Sequence, residues 1–315
     1  MGKYIVTHGQ NLYDVALHIY GSIEGVIDLM MNNTSLSLDQ TLKAGDELVY
    51  TDDYTINKDV AAYYKVNEIV PANGERHVYP KSPTLPRLMD IYIENTRTSI
   101  GFAISGSGTI EIDWGDNTDL QIVRLSKQAI EFNHFFDNNT GTKRRTCIYG
   151  DENARIQKLD ISNIKDADIY ILKPIYIERF VMKNISTTIE FIALFKGMFE
   201  MDCSGSTTGS LLPLLRQKEL KSLNLQNIKC SRKAIDEYLI GLVKQHYGRR
   251  NCEIAMTTVP SGEYKEPQRD ENLNYIVGSG MEAVWVLTHE PAWNEAGAWK
   301  FIINDTIYTY TPQNE

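Results

Sequence analysis

Ile156-Gln157-Lys158-Leu159-Asp160-Ile161-Ser162-Asn163-Ile164 opens a pattern that returns three times along the chain. It recurs as Ile177-x-x-Phe180-x-Met182-x-Asn184-Ile185, as Met198-x-x-Met201-x-Cys203-x-Gly205-Ser206, and as Leu220-x-x-Leu223-x-Leu225-x-Asn227-Ile228. The starts lie 21, 21 and 22 residues apart. Self-similarity at a fixed short period marks a repeat architecture, because one unit cannot bury its apolar face alone. The apolar residues at offsets 0, 3 and 5 form one strand edge and the wall beneath it. Asn at offset 7 in three of the four units suggests a turn whose side chain caps backbone groups inside the coil.

Around this stretch the patterning changes. Upstream, Met89-x-Ile91-x-Ile93, Ile100-x-Phe102-x-Ile104 and Ile110-x-Ile112-x-Trp114 alternate with period two, the mark of half-buried strands. Gly115-Asp116-Asn117 supplies a turn, and several short strands in a row suggest a small sandwich over residues 88–150. Further upstream, residues 52–87 carry Pro71, Asn73-Gly74, Pro80, Pro83 and Pro86 and lack long periodicity, so they read as a short extension and a Pro-rich linker. Residues 4–50 read as strand, helix, helix, strand. Tyr4-Ile5-Val6 is β-rich, Asn11 can cap a helix carrying Leu12, Val15, Ala16 and Ile19, and Gly21 stops it. A second helix carries Val26, Ile27, Leu29 and Met30, and Ala44-Gly45-Asp46 turns into the strand Glu47–Tyr50.

Downstream, Arg232 to Tyr247 places Ile235, Leu239, Leu242 and Val243 at helical spacing, which predicts a helix capping the repeat stack. Residues 251–315 read as a β-rich segment, with alternation at Val284-x-Val286 and Phe301-x-Ile303 and with Trp285, Trp293 and Trp299 among them. Those rings fit either a core or an exposed binding platform. The expected whole is a multidomain α+β chain: a βααβ domain over 1–51, the linker over 52–87, a sandwich over 88–150, a short solenoid with its helix over 151–250, and a β-rich cap over 251–315.

Composition narrows the function classes. Forty-one acidic against 32 basic side chains give a net charge of −9, a field that repels polyanions, so nucleic acid is not an expected partner. The run Lys143-Arg144-Arg145 reads as a solvated strand edge. No apolar run reaches the roughly 18 residues of a membrane span, and MGKYIVTHGQ lacks a signal-type apolar core. Cys147, Cys203, Cys230 and Cys252 form no CxxC, and buried free thiols are expected. No motif of a known hydrolase, nucleotide site or zinc helix is present, which leads us to expect neither catalysis nor a cofactor.

Two local clusters remain. Asp113, Asp116, Asn117 and Asp119 place four oxygen-bearing side chains close together. That suits either a hard cation such as calcium through Asp113, Asp116 and Asp119, or an Asx-rich turn bonding its own backbone. His8, Gly9, Gln10, Asn11, Asn32 and Asn33 flank the two turns of the first domain.

Three resemblances follow from these residues. Tyr4-Ile5-Val6, Gly9-Gln10-Asn11-Leu12, Asn32-Asn33 and Ala44-Gly45-Asp46-Glu47-Leu48 resemble the LysM domain, and His18-Ile19-Tyr20-Gly21 is similar to its variants in phage tail and baseplate proteins. That resemblance implies either an assembly element or binding of a glycan containing N-acetylglucosamine, with His8 to Asn11, Asn32 and Asn33 as the contacts. Ile112-Asp113-Trp114-Gly115-Asp116 followed by His134-Phe135-Phe136 resembles the PKD-type sandwich, where the histidine is a structural turn residue. The period near 21 resembles irregular bacterial leucine-rich repeats, which implies a protein partner on the strand-lined face. The expected function is a structural or binding protein of a phage or prophage tail, made in the cytoplasm and found on the virion. The alternative is a peptidoglycan-binding protein of the bacterial cell envelope.

Overall fold

The structure, a computed structural model, describes residues 1–38, 40–69, 81–137, 142–151, 153–246, 248–295 and 297–311. The expected linker residues Pro71, Asn73, Gly74 and Pro80 lie outside the described residues. The chain is mixed α and β with several sheets.

The first unit follows the expected order. β1 (Gly2–Ile5) pairs antiparallel with β2 (Glu47–Tyr50), and α1 (Leu12–Tyr20) and α2 (Val26–Asn32) lie between them. Helix α1 begins where Asn11 and Asp14 satisfy each other's free backbone N–H groups in a capping box. It ends at Gly21, whose φ of 68° is left-handed; a Cβ there would sit 2.0 Å from the Asn57 carbonyl oxygen. Val6, Leu12, Val15, Tyr20, Leu29 and Leu48 close a core separate from the rest of the chain. The stretch expected to be plain extension holds a further helix, α3 (Lys58–Val66), capped by Asn57 and packed on α1.

β3 (Arg87–Ile93), β5 (Thr109–Asp113), β6 (Gln121–Arg124), β8 (Arg144–Gly150) and β10 (Asp168–Ile171) form a five-stranded antiparallel sheet in the order β10-β3-β8-β5-β6. β4 (Ser99–Ser107) and β7 (Ile130–Phe135) pair with each other and belong to a second sheet. That second sheet does not stop at residue 150. β4 pairs antiparallel with β9 (Arg155–Asp160), the first of six parallel strands. The others are β11 (Ile175–Val181), β13 (Glu200–Asp202), β14 (Ser222–Leu225), β15 (Glu253–Met256) and β16 (Lys300–Ile303), with a short β12 (Phe195–Lys196) beside β11. β17 (Thr306–Thr309) turns back antiparallel and closes the far edge. One apolar cluster runs from Leu88 to Ile303, through the boundary expected at 150.

The register places Leu159, Phe180, Met201, Leu223, Ile254 and Phe301 side by side, every one buried. Burying each such side chain stabilises the fold by about 1.5–3 kcal/mol. The returns between strands are 3-10 turns at Glu190–Leu194 and Leu212–Arg216, then α4 (Arg232–Lys244) and α5 (Gly280–His289).

Three expectations are corrected here. The segment 251–315 supplies three more strands of the same sheet, β15, β16 and β17, with Trp299 and Phe301 in the shared core. Helix α4 does not end the stack, because it packs between the Leu212–Arg216 turn and α5 within the return layer. Val284-x-Val286 lies in helix α5, where Ser279 caps the N-terminus and Met281, Ala283, Val284, Val286 and Leu287 are all buried. A helix buried on nearly every side has no polar face, so its alternation imitates a strand.

Asparagine at offset 7 does not cap the coil interior. Asn184 and Asn227 are exposed and take φ of 55° and 54°, and Gly205 takes 70° at the matching place. These are left-handed turn positions, where Asn and Gly are least penalised. The backbone is satisfied instead by the residue at offset 4: Asp160, Asp202 and Asn224 accept from the N–H of Ser162, Ser204 and Gln226. Ser206, buried beneath the turn, donates to the Met182 carbonyl and accepts from the Ile185 N–H.

Candidate functional site

The residues expected to touch a glycan are mostly occupied inside the first unit. Gln10 is buried; its Oε1 accepts from Thr7 N–H at 2.8 Å and its Nε2 donates to the Tyr4 hydroxyl at 2.7 Å. Asn11 caps α1. Asn33 ties α2 to β2: its Nδ2 donates to the carbonyls of Leu29 and Val49, both at 2.8 Å, and its Oδ1 accepts from Val49 N–H at 2.9 Å. Asn32 donates to Asp28 O and Thr51 Oγ1. Gly9 is needed for its φ of 79°. His8 differs, since its Nε2 is buried without a hydrogen-bond partner. Apart from His8, these side chains hold the unit together, and their polar groups are spent on it.

The acidic turn after β5 is also internally committed. Asp116 is 2 % exposed. Its Oδ1 accepts from the N–H and hydroxyl of Thr118, and its Oδ2 accepts from His134 Nε2 at 2.7 Å and Asp137 N–H at 3.1 Å. Burial alone would raise the Asp116 pKa, but the bonds from His134 and Thr118, the charge of His134 and the Asp137 N–H carry it down to about 2. His134 stacks flat on Trp114, 4.4 Å between centroids. Asp113 instead meets Lys81 and the Gly115 N–H, and Asp119 is exposed. As for the calcium expectation at Asp113, Asp116 and Asp119, among the described residues no three His, Cys, Asp or Glu side chains gather in a group that could hold a metal. The carboxylates face different partners, as the turn alternative requires.

The tryptophans of the last segment are packed: Trp299 is buried, and Trp285 and Trp293 lie partly buried against the core, stacked on His289 and His246. The basic run is spent as well. Lys143 bridges Glu94 and Asp168, Arg144 lies over the Phe136 ring, and Arg145 bonds Tyr92.

The outward side of the six parallel strands carries two cross-strand ladders. One runs Lys158, Arg179, Glu200, Ser222, Glu253, Lys300; the other runs Asp160, Val181, Asp202, Asn224, Ala255, Ile302. Ion pairs link Arg179 to Glu200, Lys183 to Asp202 and Lys300 to Glu253, each at 3.0 Å. Between exposed groups such pairs contribute about 0–1 kcal/mol, so the face can exchange them for a partner's charges at little cost.

Sequence reading missed a cleft of about 770 Å³ that exists because of α3. Tyr4 and His18 line it from β1 and α1, Tyr50 and Asp53 from β2 and the segment after it, and Lys58 and Lys65 from α3. The available signal was Asn57 before Lys58-x-x-Ala61-Ala62-x-x-Lys65, a cap followed by one helix face.

Compared with protein-family models, curated proteins and solved structures, the chain finds no match.

Proposed function

We propose that the chain is a non-enzymatic assembly and surface-contact protein, a tail-associated component of a phage or related contractile particle. In this reading residues 1–51 are a LysM-like unit, 88–150 a PKD-like sandwich, and the six parallel strands with their returns a leucine-rich-repeat solenoid. The observation that carries it is the in-register outward face of those strands, charged in both signs and backed by one core. Such a face suits a broad protein contact better than a small substrate. The buried Asp116–His134 pair, the nearest thing to an acid–base couple, is spent on a turn and lies under Trp114. The spent turn residues of the first unit favour assembly over glycan binding at those turns.

The test is mass spectrometry of purified particles from the host that carries the gene, beside particles from a strain whose chain bears Arg179→Glu, Lys183→Glu and Lys300→Glu. The chain is expected in the wild-type particles and lost from the variant ones. Its absence from wild-type particles, together with saturable retention on insoluble peptidoglycan, would move the assignment to the cell envelope.

A further inference from the structure

The cleft beside α3 shares no residue with the turns of the first unit and has the parts of a ligand site. Its volume lies in the range that takes one or two sugar rings. One wall is a fixed aromatic plane. Tyr54 leans on buried Tyr20 at 5.7 Å and 60°, yet stays 48 % exposed, and Tyr20 is itself anchored by its hydroxyl donating to Asp28. An aromatic ring with a fixed plane and one open side stacks on the apolar face of a pyranose at little entropic cost. Helix α3 also lines the cleft. Ala61 and Ala62 leave room, and Lys58 and Lys65 stand two turns apart on the same face, about 10 Å along the axis. Neither lysine has an ion pair among the described residues, and Asp53, on the aromatic side, has none either.

That charge arrangement selects among ligands. Two lysines set beside Asp52 and Asp53 leave the lining close to charge balance, which favours a single negative charge over a dianion. A single carboxylate needs only one lysine, while Asp53 can accept from a ring hydroxyl or an acetamido N–H. A neutral sugar would leave both ammonium groups without a counter-charge.

We infer that this cleft binds a saccharide bearing a carboxylate, through stacking on Tyr54 and charge pairing with Lys58 or Lys65. The carboxylate can come from a uronic acid of an acidic polysaccharide or from the lactyl group of a muramic-acid-containing wall glycan. The inference rests on the surface-contact half of the proposed function.

The test is titration calorimetry on the full chain with three probes: a glucuronate-containing tetrasaccharide, the disaccharide of N-acetylglucosamine and N-acetylmuramic acid, and neutral chitobiose. At least one acidic probe is expected to bind about tenfold or more tighter than chitobiose, and the acidic probe that binds names the source. Lys58→Ala with Lys65→Ala should erase that margin, and Tyr54→Ala should abolish binding. Lys58 and Lys65 are exposed, so the lysine variant should leave the melting temperature unmoved, which separates lost contact from lost fold. Binding of neither acidic probe, equal binding of chitobiose, or binding that survives Tyr54→Ala but is lost with His8→Ala would overturn the inference. Particle association is measured independently, so failure here leaves the assembly reading standing.

Discussion

Replacing Asp116 by Asn keeps the shape of the turn and removes its charge. In the wild-type chain both carboxylate oxygens accept, one from Thr118 and the other from His134 Nε2 and the Asp137 N–H. An amide offers one oxygen and one NH2, so either the Thr118 pair or the His134–Asp137 pair meets a donor. Losing a charged acceptor and stranding a buried N–H costs about 2–4 kcal/mol. The depressed pKa of the carboxyl gives a second figure. The carboxyl is held at about 2, below its ordinary 3.8, and that displacement corresponds to about 2 kcal/mol. Because the folded pKa is depressed, this stability is fully present above about pH 4 and is lost as pH falls toward 2. Urea unfolding followed by tryptophan fluorescence suits the measurement, since Trp114 lies on His134. The gap between wild type and Asp116→Asn should be full near neutrality and narrow steadily below about pH 4. A gap under about 0.5 kcal/mol near neutrality, or one unchanged on acidification, would refute the assignment of Asp116 as the anchor of the turn. Calcium should leave both midpoints where they are.

Four further outcomes are expected. Phe180→Ala, in a cluster with Phe191 and Phe195 and 1 % exposed, should cost about 3–5 kcal/mol in the same assay, and a cost below about 1 kcal/mol would contradict the shared core. Asn33→Ala should loosen the first unit by about 2–3 kcal/mol, read as faster exchange of the Val49 amide hydrogen; unchanged exchange would mean the α2–β2 tie is dispensable. Asp305→Gly should raise the melting temperature by an amount worth about 0.5–1 kcal/mol, since Asn304 and Asp305 both have positive φ in the turn between β16 and β17. Under native conditions a thiol reagent should modify Cys230 first, because Cys147, Cys203 and Cys252 are buried and burial pushes the Cys252 thiol up to about 12; prompt reaction of a second thiol would count against that packing.

The legible parts of the fold were those where one period dominates. Ile156, Leu159 and Ile161 recur with the same spacing through Leu225, because the returns there, one through the short strand β10 and two through 3-10 turns, are nearly equal in length and the strands stay in phase. The fifth and sixth strands, at Ile254 and Phe301, follow returns lengthened by α4 and α5, and the period disappears although the register continues. Helix α5 was misread because burial all round erased its polar stripe. At the sites, sequence could place Asp113, Asp116 and Asp119 near one another but could not say which way each carboxylate points. Asp116 turns inward to His134, eighteen positions away, and that pairing depends on β4 and β7 lying together. The cleft was illegible for a related reason: it needs α3 to fold back on α1, a contact that turns on Gly21 passing the Asn57 carbonyl.

The parallel sheet is terminated at both ends by strands that run the other way, β4 with β7 at one edge and β17 at the other. Neither terminus can be extended by copying the end unit, because a new parallel strand would find its place already taken. Change in length must therefore come from duplicating an inner unit, in steps of one strand spacing, about 4.8 Å. The molecule thus behaves as a gauge block whose span is graduated by its gene, and related chains should differ in length by whole strands between fixed ends.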